Sequence, residues 1–296
     1  MKRGVLLAVG AYTIWGIAPI YWKLIENIPS FEIVGHRIVW SFIVVIGVIW
    51  LLGNFHNFKN SFNSWHTIFP LLISATLLLV NWSVYIWAVN SGYIVDSSLG
   101  YFINPLVNVF LGVLFFREKL RTWQWISVGI AFIGVLYLSF SYGVLPRISL
   151  VLAFTFGFYG LIKKRISLNS ITSFSIETGF LFIPAFVYLL ILEINGQGSF
   201  GRGPTNGTLL LALTGLVTAI PLVMFGSAVQ KVRLSSIGFI QYIAPTLQFL
   251  IGVLVYGESF NVNRIIGFSI IWIALAIFTI DSIMTARGPS LKIPTD

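Results

Sequence analysis

Pro105-Leu106-Val107-Asn108-Val109-Phe110-Leu111-Gly112-Val113-Leu114-Phe115-Phe116-Arg117-Glu118 and Pro245-Thr246-Leu247-Gln248-Phe249-Leu250-Ile251-Gly252-Val253-Leu254-Val255-Tyr256-Gly257-Glu258 are two versions of one segment, 140 residues apart. The proline, the glycine-valine-leucine triplet and the closing glutamate keep their places. Outward from these, Ala88-Val89-Asn90 recurs at the same displacement as Ala228-Val229-Gln230. Ser97-Ser98-Leu99-Gly100-Tyr101 is matched by Ser235-Ser236-Ile237-Gly238-Phe239 after a small slip in register. A chain of 296 residues that repeats near its midpoint reads as two copies of one unit, 1–145 and 146–296, forming together one domain. Such doubling is the usual construction of secondary transporters, with the substrate site between the copies.

Composition places the unit in a membrane. The chain is 57% hydrophobic and 16% aromatic but only 9% charged, and it lacks cysteine. A soluble core cannot absorb that much apolar surface with so few charges left for its exterior. Without cysteine there is no disulfide framework, thiolate metal site or thiol nucleophile. The net charge of +9 does not indicate nucleic acid, because the basic residues are dispersed at the ends of apolar runs.

Ten apolar runs are legible, at 4–22, 31–52, 67–89, 94–116, 122–141, 148–162, 171–192, 208–229, 235–256 and 265–283. Most approach the ~20 residues that cross hydrocarbon as a helix, and none alternates as a membrane strand does. The expected fold is therefore all-α and integral to the membrane. With the N-terminus inside, cytoplasmic stretches carry thirteen Lys and Arg against three outside, Lys23 and Arg37 being left uncounted at the outer boundary. That bias puts both termini in the cytoplasm. The opening segment contains Trp15, Pro19 and Trp22 without a small-residue cleavage pattern, so it reads as a crossing and not a signal peptide. Five crossings per half is an odd number, so the second copy is inverted, an arrangement that suits alternating access.

Several polar motifs within these runs resemble the RarD branch of the EamA family, in the drug/metabolite transporter superfamily. They are Trp15-Gly16-Ile17-Ala18-Pro19, Glu32-Ile33-Val34-Gly35-His36-Arg37, Asn81-Trp82, Ile86-Trp87-Ala88-Val89-Asn90, Ser98 to Asn108, and Gln241 to Leu247. The resemblance covers essentially the whole chain. It implies ten helices in two inverted five-helix repeats, a bacterial plasma (inner) membrane, and movement of a small solute, often outward.

Polar side chains inside hydrocarbon are costly unless paired or hydrated, which makes them candidate site residues. Tyr101, Asn104 and Asn108 share one helical face, and Gln241 and Gln248 repeat Tyr101 and Asn108 at the 140-residue displacement. Interhelical hydrogen bonding is the plainer alternative to a cavity lining for this stripe. Tyr242 is grouped with Gln241. Tyr12, Trp15 and Tyr159 are placed to stack on an aromatic or cationic solute. Asn81 and Tyr85 share a face on the third crossing, whereas the copy has Pro221 and Phe225.

Arg37 and Glu177 are also 140 apart, each six residues or ~9 Å into its crossing. Glu177 is the candidate proton carrier, against a structural hydrogen bond to a neighbouring helix. For Arg37 the alternatives are an anionic substrate group and a rim pair with Glu32, with His36 in the same cluster. Trp22, Trp123 and Trp125 read as interfacial anchors. Pro19 and the short run 148–162 suggest interrupted first helices in each half. Pro105 and Pro245 suggest bends, and Glu118 and Glu258 solvated helix ends.

There is no Gly-rich phosphate loop for ATP-driven transport, and His36, His56 and His66 fall far apart, so neither a cofactor nor a metal is expected. The expected partners are a small-molecule solute, membrane lipids and protons as coupling ion, in a monomer or a homodimer, with no nucleic acid. The competing reading is a membrane-embedded enzyme acting on a small or lipid-linked substrate. It would normally show acids clustered at one membrane face, and the nine acids here are scattered.

Overall fold

A computed structural model describes residues 2–90, 94–141, 147–202, 205–257 and 262–287. Every regular element among them is helical: α1 (Lys2–Lys23), α2 (Ser30–Leu51), α3 (Phe55–Asn60), α4 (Trp65–Asn90), α5 (Ile94–Phe116), α6 (Thr122–Ser141), α7 (Arg147–Arg165), α8 (Ser170–Ile194), α9 (Thr205–Val229), α10 (Leu234–Gln241), α11 (Ile243–Leu254) and α12 (Val262–Arg287), with one 3-10 turn after α3. Backbone groups in hydrocarbon must be satisfied within their own segment, and the helix does this. Large apolar side chains remain on the outside, Trp50 at 71%, Phe140 at 80% and Leu254 at 77% exposure. Water would not tolerate this surface, and lipid does.

Nine segments among the described residues are long and apolar enough to cross a membrane: α1, α2, α4, α5, α6, α8, α9, the α10–α11 pair and α12. The remaining expected crossing, α7, has 19 residues, long enough at about 28 Å. It carries Arg147, Lys163, Lys164 and Arg165 at its ends and is therefore less apolar. The expectation of short or broken first helices is corrected on both counts. The helix of α7 extends beyond the apolar run 148–162, and α1 passes through Pro19 without interruption.

The matched prolines behave differently. Pro245 has no N–H, and its ring crowds the carbonyl four residues back, that of Gln241. The helix divides there, at Tyr242, between α10 and α11. Around Pro105, α5 runs unbroken.

The helices pair in a reciprocal pattern. α1 packs on α9 and α11, while α7 packs on α4 and α5; α2 packs on α9, while α8 packs on α4. α2 also meets α8, α5 meets α10, and α6 meets α12. Glycines set the closest approaches. A Cβ on Gly215 would lie 2.5 Å from the carbonyl carbon of Trp40, and one on Gly238 would lie 2.4 Å from the carbonyl oxygen of Pro105. Small residues of this kind let membrane helices associate at backbone distance.

Candidate functional site

A cavity of about 170 Å³ lies inside the bundle, walled by α1, α2, α4, α5, α7, α9 and the α10–α11 junction. On α1 it extends from Tyr12 and Trp15 to Pro19 and Trp22, towards the end away from the N-terminus. Its wall includes nine of the expected substrate-binding residues: Tyr12, Trp15, Arg37, Asn81, Tyr85, Tyr101, Asn104, Gln241 and Gln248. Three others lie elsewhere, which corrects their assignment as lining residues. Asn108 is fully buried behind Gln241, and Tyr159 stacks on Phe225. Tyr242 packs with Leu99, Phe102 and Phe268, its hydroxyl donating to the Phe102 carbonyl at 3.3 Å.

The polar wall is a closed amide network joining both halves. Asn108 donates to the Gln241 side-chain oxygen at 2.8 Å and to that of Asn104 at 3.2 Å. Gln241 donates in turn to Asn104, and Asn104 to the Ala153 carbonyl. The Tyr12 hydroxyl reaches Gln241 at 3.3 Å. The helical face that brings Asn104 and Asn108 together is the one read from their four-residue spacing. The partner they find is the repeated glutamine, seated where α10 ends. Gln248 donates to the Trp15 carbonyl at 3.1 Å, and Asn81 to Leu152 and Thr155 at 3.0 and 2.9 Å. Tyr85 and Tyr101 lie against one another, their ring centroids 5.9 Å apart and their planes inclined at 73°.

An aromatic floor closes the cavity below. Trp15 and Phe156 meet edge to face at 5.7 Å between centroids, and Tyr12 and Phe225 pack on Trp15. Phe156 was missed in the sequence because an isolated phenylalanine among so many carries no signal.

Arg37 does not form the rim pair with Glu32. Its Nε donates to Thr218 at 3.0 Å, and its guanidinium carbon lies 4.9 Å from the Trp22 ring and 4.8 Å from the Trp82 ring. Two indole faces hold the cation by cation–π attraction. Trp22 is thus a cavity residue and not an interfacial anchor. Glu32 instead accepts from the backbone and hydroxyl of Ser199, with His36 at 3.9 Å. Trp123 and Trp125 stay on the exterior, at 60% and 52% exposure.

Glu177 lies away from the cavity, in a second buried cluster towards the C-terminal end of α7. Lys163 reaches its two carboxylate oxygens at 3.1 and 3.2 Å, and Ser74 donates to it at 2.6 Å. The Tyr159 hydroxyl is at 3.5 Å, and Lys163 also donates to Ser173. Lys163 and Glu177 are both fully buried. Lys163 was counted in the sequence as a loop charge, because three consecutive basic residues look like a cytoplasmic boundary. At the same end the side chain of Glu118 is only 7% exposed, correcting its reading as a solvated terminus: it accepts from the backbone N–H groups of Leu234 and Ser235 at 2.7 and 2.9 Å. A carboxylate there caps the start of α10 and opposes its dipole. Its repeat counterpart Glu258 lies outside the described residues. Among the described residues no three His, Asp or Glu gather as metal ligands.

A lipid-facing helical bundle around a buried polar and aromatic cavity defines a multi-pass membrane protein of the transporter class. The chain belongs to the EamA-like transporter family, whose model matches residues 2–140, and within that family to the RarD type. Protein RarD of Escherichia coli (strain K12) is 44% identical over 289 residues, spanning 98% of each chain. A protein of Bacillus subtilis (strain 168) described as uncharacterized transporter YojE is 41% identical over 291 residues, spanning 97% of each. A solved structure, 15% identical, covers 94% of this chain and 98% of its own with a TM-score of 0.71, a likeness of fold.

Proposed function

We propose that the chain is a secondary transporter that exports a small solute across the bacterial inner membrane by alternating access. One observation carries the reading: the cavity is built jointly by helices from both halves of the chain, and the amide network in its wall links Asn104 and Asn108 to Gln241. The reciprocal helix pairing supports two inverted five-helix repeats, since exchanging each helix for its repeat partner leaves the pattern unchanged. α7 serves as the tenth crossing, with its basic end in the cytoplasm.

With both termini inside, the cavity lies in the outer half of the bundle. The inner half is held by the Lys163–Glu177 cluster, by Glu118 on α10, and by Gln230, which donates to carbonyls in the turn after α7, those of Ile166 at 3.2 Å and Leu168 at 2.9 Å. This corresponds to a state closed to the cytoplasm. Protons are the candidate coupling ion and Glu177 the candidate carrier. A Glu177→Gln variant whose transport keeps the wild-type rate and pH dependence excludes that role.

The test of transport is metabolite profiling of cells and spent medium. Wild type is compared with an Asn81→Ala, Gln248→Ala variant present at equal abundance. An unchanged compound that moves to the medium only with wild type is the expected result. A chemically new compound identifies an enzyme instead, and identical profiles refute export through this cavity.

A further inference from the structure

The cavity wall among the described residues contains one charged side chain, Arg37, and no carboxylate. Six acids are engaged elsewhere: Glu26 with Lys23, Glu32 on Ser199, Glu118 on α10, Glu177 on Lys163, Glu193 with Arg202 and Asp281 on Arg121. Arg37 uses only Nε, towards Thr218, and its guanidinium is held between Trp22 and Trp82. Its two terminal nitrogens, four N–H donors in a planar fork, make no hydrogen bond with the described residues. A cation in the interior of a membrane protein without a counter-ion is costly and marks a place for an anion.

We propose that the transported solute is a small aromatic monocarboxylate, anchored through its carboxylate by Arg37 and resting its ring on Trp15 and Phe156. This rests on the transporter reading and specifies the substrate of the same cavity. A guanidinium fork matches a carboxylate in bidentate geometry. One fixed positive charge balances one negative charge. A phosphate monoester carries −1.5 to −2 near neutral pH, so a single arginine leaves it undercompensated. An amine meets a like charge at Arg37 and finds no acid among the described residues of the wall, and the ammonium of a free amino acid finds none among them either. The volume is restrictive as well: about 170 Å³ is close to the ~150 Å³ of a cavity that accepts benzene. Trp15 and Phe156 are set edge to face, and aromatic rings pack favourably in such inclined and offset arrangements. Tyr85, Tyr101 and Asn81 remain beside the fork to take a ring hydroxyl or the second lone pairs of the carboxylate.

The experiment is calorimetric titration of the purified full-length chain with benzoate, benzamide, benzylamine, phenylalanine and phenyl phosphate. Each is then tested for uptake into vesicles carrying the protein. Benzoate is expected to bind at least tenfold more tightly than each of the others. Arg37→Gln is expected to remove that preference and leave benzamide unchanged, with Arg37→Lys intermediate. The wild-type panel alone decides the matter if the variants do not fold. Equal binding of benzamide and benzoate overturns the inference, as does preference for benzylamine, phenylalanine or phenyl phosphate. Movement of a neutral or cationic solute through the vesicles would leave the transporter reading standing while this inference falls. Benzoate binding without movement would leave a carboxylate site at Arg37 but overturn its assignment as the site of the transported solute.

Discussion

Replacing Lys163 by methionine keeps the length and apolar stem of the side chain and removes its charge. Glu177 is then left fully buried with only Ser74 and Tyr159 as hydrogen-bond partners. At the 3.1 Å separation of this pair, the attraction is about 5 kcal/mol for an effective dielectric of ~20. Desolvation of both groups offsets much of that in the intact protein, but it is not recovered when one partner is deleted. Breaking a buried pair from one side costs ~3–5 kcal/mol, whereas replacing both partners by apolar groups is often neutral. Lys163→Met is therefore expected to lose ~3–5 kcal/mol and Lys163→Met, Glu177→Leu to recover most of it. The assay is thermal unfolding in detergent of the wild type, both single variants and the double variant, as a double-mutant cycle. Equal destabilisation by the single variants with simple additivity in the double would show that the two charges do not depend on each other. The inner closure drawn from them would then be wrong.

Glu118→Ala removes the cap of α10 and is expected to cost ~1 kcal/mol, read as a lower midpoint in the same unfolding assay. Gly238→Ala should fare worse, because its Cβ would meet backbone at 2.4 Å where α10 lies on α5; loss of folded protein in membranes by size-exclusion chromatography checks this. Gln241→Leu leaves Asn104 and Asn108 only their mutual 3.2 Å bond and takes the acceptor from the buried Tyr12 hydroxyl, an expected loss of ~2 kcal/mol in stability with a larger effect on transport than Gln248→Leu. Because the chain has no cysteine, Asn81→Cys supplies a single reporter. A membrane-impermeant thiol reagent is expected to label it from outside the cell, and labelling only from the cytoplasmic face would reverse the orientation.

Most of the fold was legible because apolar runs near 20 residues leave the chain few alternatives, and the 140-residue repeat pairs the runs. The amide wall was legible for a similar reason: asparagine and glutamine at helical spacing inside hydrocarbon need partners. What the sequence hid was pairing across helices. Lys163 and Glu177 are 14 residues apart on different helices, and nothing local tells a buried lysine from the two basic residues that follow it. Arg37 was ambiguous because Glu32 sits within reach on the same helix, yet the loop after α8 supplies Ser199 and captures that carboxylate. Trp22 looked like its interfacial neighbours until Thr218 and Trp82 placed Arg37 against it.

The burial of Lys163 also bears on how the protein is made. Translation delivers α7 before α8, so for a time this lysine exists without Glu177, in a helix less apolar than the nine segments that are long and apolar enough to cross a membrane. Lys163 is the third residue from the end of α7, so before α8 arrives its flexible stem can carry the ammonium to the interface. The two helices are therefore expected to settle as a hairpin, the lysine leaving the interface only once the carboxylate of α8 is there to meet it. On the ribosome, the contact that locks this end of the finished bundle is one that α7 cannot make until α8 has been delivered.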